Sequence, residues 1–111
     1  MVKAGALRKR YILFSYSGPE RDEEALKRAL YAEALRFFGE LGLSYVALKL
    51  VKFESKSNKG ILRCSRSHLD QTLGFLALLS SMDGSEARLT ALKSSGTLKS
   101  LESEFLSIHS R

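Results

Sequence analysis

At the centre of the chain lies the stretch Asn58-Lys59-Gly60-Ile61-Leu62-Arg63-Cys64-Ser65-Arg66, which has the composition of a β-strand. Side chains alternate between the two faces of a strand, so Arg63 points one way while Leu62 and Cys64 point the other. A strand that only completes a hydrophobic core needs no guanidinium group, whereas a guanidinium offers a rigid fork of donors that matches phosphate oxygens. The stretch therefore predicts a sheet that buries one face and offers the other face, with its rim, to a polyanion.

Charge is distributed unevenly along the chain. Its 111 residues carry a formal net charge of +6 and give a pI near 9.7. Residues 1–10 hold four cations and no acid, and residues 42–66 hold six cations against Glu54 alone, whereas residues 20–24 are mostly acidic. Segregated charge creates a directed field, which favours a nucleic-acid partner. A soluble basic protein with solvated lysines is the alternative.

Composition excludes or disfavours several classes of protein. An apolar content of 44% is enough for one core and excludes wholesale disorder. No apolar run approaches the ~20 residues of a membrane-spanning helix, and the N-terminus has no apolar stretch typical of a signal peptide. The single cysteine excludes an internal disulfide and disfavours a cysteine-based metal site. We therefore expect an intracellular, cytoplasmic protein with no membrane partner.

Hydrophobic periodicity outside the central strand predicts alternating strands and helices. Apolar residues three and four apart from about Asp22 to Leu41 predict a helix that Gly39 and Gly42 close. Ser67 fits the N-cap of a second helix, with Asp70 at its third position. The other predicted elements are strands over Arg10–Ser17, Tyr45–Phe53, Gly60–Arg66 and Ala87–Lys93, a loop over Glu54–Lys59, and a last helix from Thr97 that buries Leu98, Leu101, Phe105 and Ile108.

The order β-α-β-β-α-β-α defines the predicted fold class. It is α+β: a ferredoxin-like, RRM-like β-α-β-β-α-β sandwich with a four-stranded antiparallel sheet and an extra C-terminal helix. Residues 1–9 are predicted to form a basic N-terminal arm and residues 10–111 a single domain. RNA-recognition modules of this fold leave one sheet face free, so we expect an open face here. The side chains expected on that face are Lys49, Arg63, Lys93 and either Tyr11 or Phe14.

The expected manner of RNA contact follows from the types of residue on the central strand. RNA-recognition domains stack bases on strand aromatics, and Gly60 to Arg66 contain no aromatic residue. Basic contact with the RNA backbone, which positions a protein without reading sequence, is therefore favoured.

A second candidate for phosphate binding is the run Ser94-Ser95-Gly96-Thr97-Leu98-Lys99. Glycine and small hydroxyl residues ahead of a helix leave backbone N–H groups available, and the helix dipole and Lys99 add positive charge. An ordinary helix cap by Thr97 or Ser95 explains the same residue types. Both interpretations remain open from the sequence.

Residues able to carry catalysis are scarce. His68 and His109 have no carboxylate at a useful spacing, and Cys64 lies on the predicted core face, where a free cysteine acts as a small hydrophobe. The sequence has no Walker loop, paired acids or metal-ligand cluster. Residues 15–19 also lack the glycine-rich loop and arginine that an acylphosphatase of this fold needs. We expect no catalytic residue and no metal site in this chain.

Four blocks of the sequence, taken together and in order, resemble one family. The blocks are Lys9-Arg10-Tyr11-Ile12, Phe38-Gly39-Glu40-Leu41-Gly42, Gly60-Ile61-Leu62-Arg63-Cys64-Ser65-Arg66 and Ser95-Gly96-Thr97-Leu98-Lys99. Over about residues 9–106 they resemble protein component 2 of ribonuclease P, a family of small archaeal and eukaryotic subunits. The compact length and short tail are similar to those of archaeal members.

The resemblance implies a function in which this chain performs no chemistry. Ribonuclease P removes the 5′ leader of precursor tRNA, and its catalytic centre is a large RNA with bound Mg²⁺. This chain is then expected to bind no cofactor and to support the RNA by neutralising phosphates. The implied partners are ribonuclease P RNA, precursor tRNA indirectly, and protein component 3, a larger TIM-barrel-like subunit. Two copies of the small subunit are implied to meet in a heterotetramer.

The residues expected to contact RNA are cations or belong to the Ser-Gly-Thr block. They are Lys9, Arg10, Lys49, Arg63, Arg66, Lys93, Gly96, Thr97 and Lys99. Arg66 lies on the core-side register and qualifies because it ends the strand. Lys93 and Ser94 stand where family members usually carry a glycine and then an apolar residue, so either a different backbone turn or an added RNA contact follows. The first helix, whose exposed side is acidic, is expected to serve a protein partner.

Two other functions compete with this interpretation. The first is a protein-interaction or general RNA-binding ferredoxin-like module without a role in tRNA processing. The second is a small ferredoxin-like enzyme or ligand-binding domain, which would have a concave pocket and a titrating group with a displaced pKa.

Overall fold

A computed structural model describes residues 8–109, and the side chains of residues 8–105. The elements in chain order are β1 (Lys9–Ser17), α1 (Glu23–Val46), β2 (Lys49–Glu54), β3 (Lys59–Ser65), α2 (Leu69–Leu78), β4 (Ser81–Met82), β5 (Ser85–Glu86), β6 (Arg88–Ser95) and α3 (Leu98–His109). A short 3-10 helix, Arg66–His68, links β3 to α2. Most of the arm predicted over residues 1–9 lies outside the described residues, and Lys9 belongs to β1.

Four strands form one antiparallel sheet in the order β2-β3-β1-β6. β1 pairs with both β3 and β6, and β3 pairs with both β1 and β2. With α1 between β1 and β2 and α2 between β3 and β6, this is the ferredoxin-like arrangement, and the predicted α+β class is confirmed. The central stretch of the sequence is β3, so it and β1 are the two interior strands of the sheet.

The main hydrophobic core lies between the sheet and the two helices α1 and α2. Ile12, Phe14 and Leu62 contribute fully buried side chains from the sheet, and Leu30 does so from α1. Burying a side chain of this size stabilises the fold by about 1.5–3 kcal/mol. Cys64 is also fully buried in this core, which confirms its predicted role as a small hydrophobe.

Burial of Cys64 predicts a pH dependence of stability. Burial raises the pKa of its thiol above the usual value near 9.0, against smaller opposing effects of a hydrogen bond with Thr72 and the charges of Arg10 and Lys9. The folded state therefore disfavours the thiolate, so this contribution is full below the unfolded pKa and is lost as pH rises through the folded pKa. The difference in unfolding free energy between the wild type and Cys64→Ala should stay constant below about pH 8 and fall above about pH 9.

This difference in unfolding free energy between the wild type and Cys64→Ala should fall by no more than about 1.4 kcal/mol per pH unit, which corresponds to one proton. Urea denaturation of both proteins from pH 7 to pH 10.5 measures it. Because lysines and tyrosines are common to both proteins, their titration cancels in the difference. A difference that stays flat across the whole range would contradict a buried thiol.

The opposite face of the sheet is covered, which corrects the expectation of an open face. α3 packs across it, and Leu101 and Phe105 form a second, smaller core with Leu13 and Ile61. Apolar periodicity identifies α3 as amphipathic but does not say which surface it covers. Leu98 packs at the edge of this core as predicted, whereas the side chain of Ile108 lies outside the described side chains.

The aromatic residues expected on that face are also accounted for. Phe14 points the other way and is fully buried in the main core, so its proposed place on an open face is wrong. Tyr11 is half-buried beside the small core under α3.

Two ion pairs connect α3 to the sheet beneath it. Lys52 Nζ lies 3.0 Å from Glu102 Oε2, and Lys93 Nζ lies 3.4 Å from Glu104 Oε2. Both pairs are partly exposed, so each contributes about 1 kcal/mol at most. Lys93, which was expected to face RNA, is thus paired with a carboxylate of α3.

α1 is longer than its sequence pattern predicts. Gly39 has the non-helical angles φ 76° and ψ 168°, so α1 consists of two helical segments joined by a kink at this residue. Helical geometry resumes through Gly42 and continues to Val46, and the left-handed Ala47 (φ 54°) forms the C-cap. The predicted break at Gly39 is therefore present, whereas α1 does not close at Gly42, and the second strand starts at Lys49 rather than at Tyr45.

β2 breaks the alternation that its sequence predicts. Strict alternation places Leu50 and Phe53 on opposite faces, yet both lie in the main core. The pairing with β3 shifts between Leu50 and Lys52, so Val51 is the extra residue of a β-bulge. Beyond the bulge Lys52 stands opposite Ile61, which lies in the core under α3.

The connection from β3 to α2 also differs from the prediction. Ser67 lies inside the 3-10 helix and gives α2 no N-cap hydrogen bond. Its Oγ instead lies 3.1 Å from Ser65 Oγ and 3.1 Å from His68 Nδ1. The capping box predicted from Ser67 and Asp70 is therefore wrong.

β4 and β5 form a small hairpin that periodicity does not reveal, because strands of two residues carry no measurable alternation. Its two turn residues, Asp83 (φ 55°) and Gly84 (φ 78°), have the positive φ values of a tight hairpin turn. Arg21 holds the hairpin in place. Its Nη1 lies 3.1 Å from Asp83 Oδ2, and its Nη2 donates to the Met82 carbonyl at 3.2 Å.

Candidate nucleic-acid interface

The sheet topology brings most of the predicted contact residues to one end of the sheet. β1 and β2 begin at this end, and β3 and β6 finish there. In the strand register Arg10 stands opposite Cys64, and Arg63 stands opposite both Tyr11 and Lys49. We call this end of the sheet the basic rim, and its cations are Arg8, Lys9, Arg10, Lys49, Arg63, Arg66 and Lys99.

On the side of α1 and α2, the basic rim contains a shallow pocket of about 190 Å³. Arg10 reaches it from β1 and Arg66 from the 3-10 helix. Arg10 Nη2 donates to Ser94 Oγ at 3.4 Å. Arg10 Nε is buried and has no hydrogen-bond partner among the described residues. The complete lining of the pocket is Arg10, Arg66, Ser67, Leu69 and Asp70.

On the side of α3, the basic rim presents Arg63. It is half-buried between Tyr11 on β1 and the exposed Lys49 on β2. Arg63 Nε, like that of Arg10, is buried without a hydrogen-bond partner in the described part of the chain. Neither Arg63 nor Lys49 forms an ion pair within residues 8–105.

The segment from Ser95 to Lys99 forms the start of α3. Ser100 N donates to Thr97 Oγ1 at 3.4 Å, and Thr97 N donates to Ser95 Oγ at 3.1 Å. The hydrogen bonds of an ordinary helix cap are thus in place, and they occupy N–H groups that a phosphate would otherwise use. Gly96 lies against Arg10, since a Cβ built on it would stand 3.6 Å from Arg10 Nη1. Gly96 and Thr97 therefore remain predicted RNA contacts, and only their position at the basic rim supports this prediction.

Lys93 and Lys99 differ in their surroundings, although both were predicted to touch RNA. Lys93 stands opposite Leu13, two positions before the end of β6, and is paired with Glu104. Lys99 is exposed in the first turn of α3 at the basic rim. Of the predicted cations, Lys93 is the one whose charge α3 already compensates.

Two residues near the basic rim were missed or misplaced by the sequence analysis. Arg8 is exposed, and its carbonyl accepts a hydrogen bond from Arg66 N at 3.2 Å. Tyr45 is 59% exposed, with its ring nearly parallel to the His68 imidazole and the ring centres 6.4 Å apart. Arg8 could have been found from its place in the N-terminal basic run, whereas assigning Tyr45 to a strand concealed its position on α1.

The described part of the chain contains no group of three or more His, Cys, Asp or Glu side chains arranged to hold a metal ion. Between residues 8 and 109 there is also no helix with the length and apolar character needed to cross a membrane. What the basic rim offers chemically is a set of fixed, mostly uncompensated positive charges.

Comparison with known proteins identifies the family. A family model described as the Rpp14/Pop5 family matches residues 10–106, which is nearly the whole chain. The chain belongs to the Rpp14/Pop5 family. Among the relatives of this Rpp14/Pop5 chain is ribonuclease P protein component 2 of Pyrococcus furiosus, 37% identical over 101 residues that cover 90% of this chain and 84% of the relative. The protein of the same name from Archaeoglobus fulgidus is 34% identical over 102 residues, which are 91% of each chain.

A solved structure supports the fold of the Rpp14/Pop5 chain. One chain in the cryo-EM structure of yeast ribonuclease MRP superposes with a TM-score of 0.65, over 94% of this chain and 96% of that one. At 15% sequence identity this likeness shows a shared fold. The family resemblance carried by the four sequence blocks is confirmed by the family model and by the archaeal relatives.

Proposed function

We propose that this Rpp14/Pop5 chain, a protein subunit of ribonuclease P, supports the catalytic RNA in removing the 5′ leader of precursor tRNA by neutralising RNA phosphates at the basic rim. The observation that carries the proposal is a contrast in charge compensation. Arg10, Arg63 and Arg66 meet at one end of the sheet without an ion-pair partner among the described side chains. Lys52 and Lys93, further along the sheet, are each paired with a glutamate of α3.

Neutralisation helps a catalytic RNA because its compact fold brings phosphates together. Each protein cation that occupies a phosphate releases a condensed counterion, so the compact fold then needs less salt or Mg²⁺. Removal of the 5′ leader is the work of the RNA, whose Mg²⁺ ions we assign to the RNA rather than to this chain. The protein residues hold phosphates in place and transfer no proton.

Contact with the RNA backbone is favoured over reading of bases. The sheet face on which RNA-recognition modules stack bases is covered by α3, and Phe14 is buried on the other face. Arginine and lysine contacts to phosphates position a protein without reading sequence. Recognition would then depend on the shape of the folded RNA.

The layer of α1 and α2 is the proposed surface for protein partners. Large apolar side chains are exposed there, among them Phe37 (48%), Leu41 (67%) and Leu78 (70%). We assign to this layer the larger subunit, protein component 3, and a second copy of this chain in a heterotetramer. Precursor tRNA would be met indirectly, through the RNA, with the cytoplasm as the expected location.

A salt titration tests the proposed function. Binding of the protein to ribonuclease P RNA, alone and with component 3, should weaken steeply with salt. We expect a slope of log K against log[salt] of about −3 or steeper, because each neutralised phosphate contributes about −0.7 to −0.9. A protein-interaction module with incidental charge predicts tight binding to component 3 and a slope near zero for RNA, which would contradict the proposal.

A further inference from the structure

The basic rim has the same feature on both faces of the sheet. Arg10, on the side of α1 and α2, and Arg63, on the side of α3, each have a buried Nε without a hydrogen-bond partner. Within residues 8–105, these are the two buried side-chain nitrogen or oxygen atoms that have no hydrogen-bond partner. A buried donor on a charged group costs free energy when it has no partner, so native structures rarely leave one unused. Two such arginines on neighbouring strands therefore hold partly desolvated guanidinium groups, whose outer N–H donors can bind anions from outside the chain.

We propose that Arg10 and Arg63 form two separate phosphate seats, one on each face of the basic rim, which two different phosphates of one folded RNA occupy. This inference rests on the proposed function and deepens it, because it names the chemical group bound and the number of groups.

The first seat is the pocket that Arg10 and Arg66 line. Its volume of about 190 Å³ exceeds the roughly 30 Å³ that a water molecule occupies in the liquid, so a phosphate group fits. Partial burial has already removed much of the hydration of Arg10, so an anion binds it with less further desolvation. Arg66 supplies a second cation, and the Ser67 hydroxyl supplies a neutral polar group. The Asp70 carboxylate lines the same pocket and opposes an anion there.

The second seat is built from Arg63 and Lys49. They face each other across β3 and β2 on the side of α3, so two cations again flank one position. Lys49 is exposed and Arg63 is half-buried, as Arg66 and Arg10 are on the other face. Each seat thus combines one partly desolvated guanidinium, which provides fixed geometry, with one exposed cation, which provides charge.

The two seats cannot share a phosphate, because the sheet lies between them. Arg10 stands opposite Cys64, and Arg63 stands opposite Tyr11, so the two arginines are one position apart in register on adjacent strands. Side chains one position apart point to opposite faces of a sheet. The RNA must therefore pass around the end of the sheet and present phosphates to both sides.

Charge-removing variants test the number of seats. Arg10→Gln, Arg63→Gln and the double variant are compared with the wild type in assembly with component 3, by filter binding to ribonuclease P RNA over a range of salt. Each single variant is expected to reduce the magnitude of the salt slope by about 1, and the double variant by about 2. The fold-loss in affinity of the double variant is expected to equal the product of the losses of the two single variants. Arg88→Gln is the matched control, since Arg88 is an exposed arginine opposite Ser17 at the other end of the sheet.

Two further variants distinguish binding of phosphate in a specific seat from general electrostatic attraction. Arg10→Lys keeps the charge but loses the planar fork of donors. The salt slope should therefore equal that of the wild type, while the affinity for RNA stays several-fold below the wild-type value. Asp70→Asn should tighten RNA binding several-fold, because it removes the opposing carboxylate from the first seat. Thermal unfolding of each variant shows whether it is folded, and the lysine variant still tests the seat if the glutamine variant is not.

Each outcome is decisive for one proposal or the other. A wild-type slope near zero contradicts the proposed function itself. A steep wild-type slope that neither glutamine variant changes overturns the seats and leaves the proposed function standing. A double variant that loses no more than one single variant shows one shared site and overturns the separation. Binding of inorganic phosphate that the variants abolish, with RNA binding unchanged, would make these free-anion sites and overturn the RNA assignment.

Discussion

Replacing Arg63 and Arg66 together with alanine is expected to lower cleavage of precursor tRNA by reconstituted ribonuclease P about 10- to 100-fold at limiting Mg²⁺. A hydrogen bond to a charged group contributes about 1.5–3 kcal/mol, and each 1.4 kcal/mol corresponds to a factor of about ten. The loss should shrink towards the wild-type rate at saturating Mg²⁺, because free cations then replace the missing ones. Cleavage rates measured across a Mg²⁺ series, from defined subunits and RNA, provide the measurement.

The matched control is the double variant Lys56→Ala and Arg88→Ala. It removes the same charge from two exposed cations at the far end of the sheet, one in the turn between β2 and β3 and one at the start of β6. We expect this control to cleave within about twofold of the wild type at every Mg²⁺ concentration, since no phosphate contact is lost. If the Arg63 and Arg66 variant is folded and equally active at low Mg²⁺, the basic rim is not the RNA contact.

Replacing Gly60 with alanine is expected to cost about 3 kcal/mol of unfolding free energy, at the upper end of the range for overpacking. A Cβ on Gly60 would stand 2.5 Å from Phe14 Cζ and 2.7 Å from the Lys52 carbonyl oxygen. The aromatic ring lies in the filled core, and the carbonyl belongs to the backbone of the neighbouring strand, so neither can rotate away. The melting temperature should fall by roughly 10 °C or more.

Gly74→Ala makes the same chemical change in α2 and should have the opposite sign. A Cβ there meets no heavy atom within 4 Å, so the helix gains about 0.5–1 kcal/mol from the better helix former. Urea denaturation of the two variants beside the wild type gives both values. Equal stability of the two alanine variants would show that the space around Gly60 is not as tight as described.

The sequence predicts the order of elements well because long periodic segments determine it. Leu62 and Cys64 alternate with Arg63 along β3, and that alternation alone assigns Cys64 to the core. Single-residue irregularities interrupt such patterns. Gly39 interrupts the helical geometry as its residue type predicts, yet a second helical segment begins beyond it and continues through Gly42. Val51 shifts β2 by one residue, so the faces predicted beyond it are inverted.

The expectation of an open face failed for a different reason. The amphipathic pattern of α3 shows that Leu101 and Phe105 are buried, but it does not name the surface that buries them. That surface includes Leu13 and Ile61, on the face where RNA-recognition modules stack bases.

The sequence selects the candidate residues of the site, but it does not determine how they are arranged. Charge patterning selected Arg10, Arg63 and Arg66, and the structure brings them to one end of the sheet. An open face with its rim was expected, whereas that face is covered by α3, and Arg10 and Arg63 lie at the rim on opposite faces. The unpartnered Nε atoms depend on side-chain packing between distant elements, which periodicity does not encode.

The position of β1 and β3 in the sheet has a consequence for selectivity. Each is hydrogen-bonded to a strand on both sides, so neither can slide without breaking two ladders. The spacing between the backbones of Arg10 and Arg63 is therefore fixed before RNA binds, which lowers the ordering cost on the side of the protein. Diffuse Mg²⁺ or salt accepts any arrangement of phosphates, but two cations at a set separation accept only a backbone that matches it. Under the proposed phosphate contacts, the two interior strands would therefore favour RNA folds whose phosphates match this separation, with no contact to a base.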